Sequence, residues 1–407
     1  MLYDPSRHEP CASTAWDEPR ARAFIEHVVR DTEAQFSPAR HWPIHPRDAE
    51  PGDDLSGAGF TPLYFGACGV FWALHHLQSL GATELARSYA PHVQALLLPN
   101  AAWLGDEYAV HRASYMMGDT PILMLSQWLA PDDHSLGRLE SLIESNLDNP
   151  TRELMWGSPG TLLAALFLHQ HTGETRWAEL FRRTARKLWS QLLWSEEHQC
   201  HYWTQDMYGT QSSYLDAVHG FVATASPLIR GRLLLSTEEW AAWQGCIENT
   251  IRRTAVVEDG RANWPARLVT PGKASRAMLM QYCHGAPGFV ICLADLPGAA
   301  LDDLLLAAGE ATWQAGPLTK GSNLCHGTGG NGYAFLKLFV RTGDLIWLER
   351  ARAFAMHGIA QTDAETATHG RMRYSLWTGD PGFAIYLWDC IHGTANFPTL
   401  DVFFGAS

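Results

Sequence analysis

The chain has 407 residues, 46% of them hydrophobic and only 18% charged, which excludes a disordered protein and leaves ample apolar mass for a large core. Its formal net charge of −13, with no run of Lys or Arg, disfavours nucleic acid and an anionic membrane surface as general partners. The eight Cys, at 11, 68, 200, 246, 283, 292, 325 and 390, are too dispersed for a disulfide framework.

The opening residues, Met1-Leu2-Tyr3-Asp4-Pro5-Ser6, carry no signal-peptide pattern, and no apolar run is long enough to span a bilayer. A reduced, cytoplasmic protein with free or metal-bound thiols is expected. Residues 1–55 are expected to supply an N-terminal helix and a loop, leading into a single domain that takes up the whole of 1–407.

A glycine-led turn followed by an apolar helical run then recurs seven times. In chain order the turns are Gly66-Ala67-Cys68-Gly69, Gly118-Asp119-Thr120-Pro121, Gly157-Ser158-Pro159-Gly160, His219-Gly220-Phe221-Val222-Ala223, Gly285-Ala286-Pro287-Gly288, Gly327-Thr328-Gly329-Gly330 and Gly379-Asp380-Pro381-Gly382. The second is degenerate and the fourth lacks its second glycine. Pro at 121, 159, 287 and 381 suits the first turn of a helix, where its missing N–H leaves nothing unpaired.

Between these runs lie more amphipathic segments, such as Trp177 to Leu193, Glu238 to Arg253, and Leu345 to Gly358. In the last, Leu345, Leu348, Ala351, Ala353 and Ala355 are read as part of an apolar stripe. Apolar helices alternating with amphipathic ones predict two concentric layers, an all-α toroid of seven inner and seven outer helices. The glycine turns then gather at one end around a central cavity.

Two turns follow a Cys-His pair: Gln281-Tyr282-Cys283-His284-Gly285 and Asn323-Leu324-Cys325-His326-Gly327. Two thiolates and an imidazole are ligands that zinc prefers, and three protein ligands leave a fourth position open for chemistry. Cys283, Cys325 and His326 are the expected metal ligands. His284 is an alternative ligand, better suited to acid/base work nearby. With two thiolates and one neutral His the site is formally neutral, which suits thiol activation. His219, just before the fourth lead glycine, is the leading acid/base candidate. Glu153 is placed to orient a His or carry a proton, and Lys320, five residues before Cys325, to bind a carboxylate.

These motifs make the chain resemble the lanthionine synthetase C-like proteins over nearly its whole length. Tyr282-Cys283-His284-Gly285-Ala286-Pro287-Gly288 and Leu324-Cys325-His326-Gly327 carry the resemblance. Ala217-Val218-His219-Gly220 and Tyr374-Ser375-Leu376-Trp377-Thr378-Gly379 support it. It implies an α/α toroid with one zinc held by Cys283, Cys325 and His326, with His219 as the acid/base. In the bacterial cyclases of the family, peptide Cys thiols add to dehydroalanine or dehydrobutyrine and close thioether rings. The stand-alone relatives add glutathione to dehydrated residues in proteins.

Three positions sort this chain between those branches. The cyclases carry Asp where Glu153 stands, and Arg where this chain has Leu279, a departure that weighs against ring closure. Lys320 matches a basic residue of the glutathione-binding relatives. Zinc-dependent addition of glutathione to a dehydrated peptide or protein is therefore expected, with a lanthionine-forming cyclase and a non-catalytic glutathione- or peptide-binding scaffold as rivals. A glycosidase on the same fold would need paired carboxylates, and Asp380 and Glu153 are the only acidic candidates among the turns.

Overall fold

The computed structural model describes residues 1–12, 14–49, 55, 59–106, 111–268 and 278–405. The helices begin with α1 (Glu18–Gln35), α2 (Ala67–Ser79), α3 (Ala90–Val93), α4 (Leu97–Leu104) and α5 (Thr120–Leu129). They continue with α6 (Asp133–Ser145), α7 (Ser158–Thr172), α8 (Thr175–Ser190), α9 (Phe221–Arg230) and α10 (Thr237–Thr254). The last are α11 (Ala286–Leu293), α12 (Asp302–Ala315), α13 (Thr328–Thr342), α14 (Leu345–His369) and α15 (Asp380–His392).

Each of the seven apolar runs is a helix that starts one residue after its lead glycine, or two in α5: α2, α5, α7, α9, α11, α13 and α15. Each packs on the next, and α15 returns to α2, so the inner ring closes. All eight residues of α11 are buried, as befits a helix with neighbours on every side. The outer ring is α1, the broken α3–α4 segment, α6, α8, α10, α12 and α14. The N-terminal helix does more than lead in, because α1 packs on α15 and α14 and completes the outer layer. The fold is thus the α/α toroid expected, and its structural neighbour described below shares it.

The recurring second glycine has a steric reason. At Gly330 a Cβ would run into the carbonyl of Leu324 in its own turn and touch Tyr282 of the preceding repeat. Gly288 stands in the same way against Tyr282 and Ala217. Each of these turns therefore closes tightly on itself and packs directly against the Cβ of a residue in the preceding repeat.

Two details differ from the sequence expectation. The α8 helix stops at Ser190, and Leu193 opens a short hairpin, β1 (Leu193–Ser195) with β2 (Cys200–Tyr202). Two further hairpins follow, β3 (Gln205–Met207) with β4 (Thr210–Ser212), and β5 (Val256–Glu258) with β6 (Arg261–Asn263). In α14 the buried stripe is Trp347, Leu348, Ala351, Phe354, Ala355, Gly358, Ile359 and Thr362, and the helix runs on to His369. Leu345 lies outside that stripe, exposed at the helix start, and Ala353 is only half-buried.

The end of the ring opposite the glycine turns is stoppered by the C-terminal segment. Phe403 packs on Trp72, Tyr115 and Phe167, and the Trp72 indole donates to its carbonyl. Phe397 reaches inward to stack on Tyr282 and meets Trp377. Asp401 anchors the segment through ion pairs with Arg230 and the buried Lys337. No described helix is long and apolar enough to cross a membrane.

Candidate metal centre

The residue two before each lead glycine sets the frame of the site. Around the rim these are Tyr64, Met116, Met155, Val218, Cys283, Cys325 and Trp377. The amide of Cys283 donates to the carbonyl of Cys325 (3.1 Å), Cys325 to Trp377 (2.9 Å), Trp377 to Tyr64 (3.1 Å), Tyr64 to Met116 (3.1 Å) and Met116 to Met155 (3.2 Å). A chain of single hydrogen bonds thus links six repeats and fixes their register. It stops at Met155 and Val218. Their amides turn instead to the carboxylates of Glu153 (2.9 Å) and Asp216 (3.1 Å).

Cys283, Cys325 and His326 converge, with one ligand atom from each lying within 4.8 Å of the others. The thiols are 7% and 3% exposed. Each sulfur also receives a hydrogen bond: Tyr64 hydroxyl to Cys325 Sγ and Gln281 Nε2 to Cys283 Sγ, both at 2.9 Å. Such donors favour thiolate.

The chemistry of this donor set fits a zinc ion. The two thiols compete for one charge. The hydrogen bond from Cys283 holds the Cys325 thiol below its ordinary value against burial, with help from Tyr64. The same bond and burial push Cys283 well up. A dication beside them removes that conflict. His326 is lowered to about 4, chiefly by burial, so its imidazole is neutral, as a ligand must be. Burial, Cys325 and Cys283 push the Tyr64 hydroxyl up, so it stays a donor.

The residue just before the lead glycine is His219, His284 and His326 in three consecutive repeats. The Nδ1 of His219 meets Glu153 at 2.9 Å, and Nδ1 of His284 meets Asp216 at 2.7 Å. Both carboxylates are fully buried, while the imidazoles keep 18% and 23% of their surface. Burial opposes charge on His219, but the hydrogen bond and charge of Glu153 outweigh it, and its pKa is raised. His284 is raised likewise, burial being overcome by Asp216. The two rings lie 6.4 Å apart, with Tyr214 beside both.

His284 is not among the convergent ligand atoms, because Asp216 draws it away. Lys320 is exposed on the rim loop, beside a cleft that includes Arg47, Asn323, Arg371 and Arg373. Arg47 pairs with Glu365 and Arg373 with Asp48. Lys320 and Arg371 have no carboxylate partner among the described residues. Asp380, the other acidic candidate, is buried under the Arg373 amide and Thr362.

Sequence reasoning missed Asp216, Tyr64 and Gln281. Asp216 was findable, since it stands four residues before its lead glycine, as Glu153 does. Tyr64 lies 261 residues from Cys325 and meets it only because the ring closes.

A family model described as lanthionine synthetase C-like protein matches residues 53–402. LanC-like protein GCL1 of Arabidopsis thaliana is 29% identical over 252 residues, 58% of this chain and 54% of that protein. Glutathione S-transferase LANCL1 of Danio rerio is 35% identical over 141 residues, 31% of this chain and 33% of that protein. The chain thus matches about half the length of the first curated relative and a third of the second. Among solved structures, nisin cyclase superposes with a TM-score of 0.59 over 93% of this chain and 95% of its own, at 16% identity, a likeness of fold.

Proposed function

The chain belongs to the lanthionine synthetase C-like family, and with that membership as the starting point we propose that it adds a thiol, glutathione foremost, across a dehydroalanine or dehydrobutyrine residue of a peptide or protein. The observation that carries this is the convergence of Cys283, Cys325 and His326 beside two imidazoles held by carboxylates. These three side chains would hold zinc. Bound there, the ion supplies positive charge that favours an incoming thiol as thiolate.

The chain's own residues supply the rest. The sulfur–carbon bond forms at the β carbon, the double-bond electrons move onto the α carbon and its carbonyl, and the α carbon must then gain a proton. His219 delivers it. Glu153 accepts from Nδ1, which leaves Nε2 as the ring nitrogen for the substrate, and its charge keeps the imidazole protonated to higher pH. His284, whose ring lies 6.4 Å from that of His219 and which follows Cys283 in the chain, takes part in handling the proton lost from sulfur. Lys320 offers its ammonium group to a glutathione carboxylate. The eight cysteines, all free, suit a reduced, cytoplasmic setting.

The test is elemental analysis together with incubation of the protein with glutathione and a dehydroalanine peptide, read by mass spectrometry. About one zinc per chain and a glutathione adduct are expected. Zinc with ring closure of a Cys-containing peptide, and no adduct, would replace this with a cyclase. Zinc with neither product would leave a binding scaffold. A chain without zinc would overturn the mechanism.

A further inference from the structure

We propose that Asp216 is a positioning residue. It fixes His284 with Nδ1 protonated and Nε2 turned to the cavity, so that the site holds two oriented imidazoles. The catalytic consequence rests on the thiol-addition function above, whereas the orientation itself does not.

The case comes from comparing one position in all seven repeats. Four residues before the lead glycine stand Pro62, Ser114, Glu153, Asp216, Gln281, Asn323 and Ser375. The ordinary task there is to cap the turn, and a neutral oxygen suffices. Ser114 Oγ accepts the amide of Met117 (2.9 Å), and Asn323 Oδ1 accepts that of His326 (3.0 Å). A carboxylate is therefore not needed for the cap. It occurs only in repeats three and four, and in both the following repeat has a His whose Nδ1 reaches back to it. In the repeat before His326, the His in the ligand cluster, the position is Gln281.

Asp216 does both tasks at once. Its Oδ1 accepts the amides of Val218 (3.1 Å) and His219 (2.8 Å), while Oδ2 takes Nδ1 of His284 (2.7 Å). A carboxylate only accepts, so Nδ1 must carry the hydrogen, and Nε2 is the atom left for the cavity. Asp216 is fully buried and bridges two repeats, so the ring has little freedom to turn. His284 follows Cys283 directly in the chain, which keeps its ring near that thiol. There it is suited to accept the hydrogen bond of an incoming S–H, leaving His219 to serve the α carbon.

Asp216→Asn isolates this role. Asn keeps an oxygen for the two turn amides but presents an N–H to Nδ1, which forces the opposite tautomer. In Ser–His–Asp catalysis the same exchange leaves the geometry intact and lowers kcat roughly 10⁴-fold. The first readout needs no turnover: ¹⁵N NMR of the His284 ring in zinc-loaded protein. Nδ1–H is expected in the wild type and Nε2–H in the variant, with zinc content and Tm unchanged.

The second readout is kinetic. Asp216→Asn is expected to lower kcat about 10-fold or more with the glutathione KM within about 2-fold, and Asp216→Glu to restore part of it. In a His284→Ala background, Asp216→Asn should cause no further loss. An unchanged tautomer, the same additional loss without His284, or loss of zinc or Tm would overturn the proposal in favour of a purely structural cap. If the wild type forms no adduct, thiol addition fails, and the tautomer measurement still decides the orientation.

Discussion

Repeats four to six and repeats seven, one and two share one turn but not one chemistry. In the first arc the residue before the lead glycine is His219, His284 or His326. In the second it is Thr378, Phe65 or Met117. One step earlier, the first arc has Val218, Cys283 and Cys325, and the second Trp377, Tyr64 and Met116. The backbone hydrogen-bond chain crosses the boundary between arcs unaltered, from Cys325 to Trp377 and on to Tyr64. The chemistry proposed above would thus be set by side chains on a repeated frame, and the quiet arc acts as a brace, with Tyr64 reaching over to Cys325.

The sharpest way to break this contrast is Cys325→Ala. Zinc should fall from about one per chain to a trace and adduct formation to background, because a ligand thiolate is lost from a site of three. Elemental analysis and mass spectrometry of the product measure both.

Next come the proton carriers. His219→Ala should lower kcat by about 10²–10⁴-fold with zinc retained. Glu153→Gln should act through pH. Glu153 raises the pKa of His219 against burial, so the wild-type rate, which needs protonated His219, falls as pH rises through that elevated value. Without the carboxylate charge the falling limb moves to lower pH. Linkage gives the matching sign for stability. His219 is raised above its ordinary 6.5 on folding, so its contribution is complete below that pH and is lost as pH rises through the folded value. Rate and Tm profiles of the two proteins check both.

A smaller effect is expected at the border of the arcs. Lys320→Ala should raise the KM for glutathione about 3–10-fold and leave the zinc content intact, as suits one exposed charge. Smallest of all is Met117→Leu, in the register of the histidines but within the quiet arc. Adduct formation should stay within about 2-fold and stability within about 1.5 kcal/mol, for a buried swap of similar volume. A large loss there would show that the brace does more than hold shape.

Much of this was legible in the residues because the frame repeats. Lead glycines mark every inner helix start, since the turn admits no larger residue between its own carbonyls, and a repeated steric need leaves a repeated letter. The Cys-His pairs stood out against that background. Asp216 did not, because Ser114, Asn323 and Asp216 all look like ordinary turn caps, and only the return of His284 from the next repeat tells them apart. The α14 stripe was misread by anchoring it on Leu345, when the helix buries Trp347 and Leu348 from its first turn. Hairpins of three-residue strands carry too little pattern to announce themselves.

Among the described residues, the C-terminal stopper makes the ring a cup closed at its base. Phe403 seals its base and Phe397 forms a floor under Tyr282 and Trp377. A polypeptide cannot be threaded through such a vessel as through a pipe; it must dip a loop or an end over the lip and withdraw the same way. On the proposed function, thiol, acceptor and finished thioether would share the open rim, and each turnover would have to clear it before the next could begin.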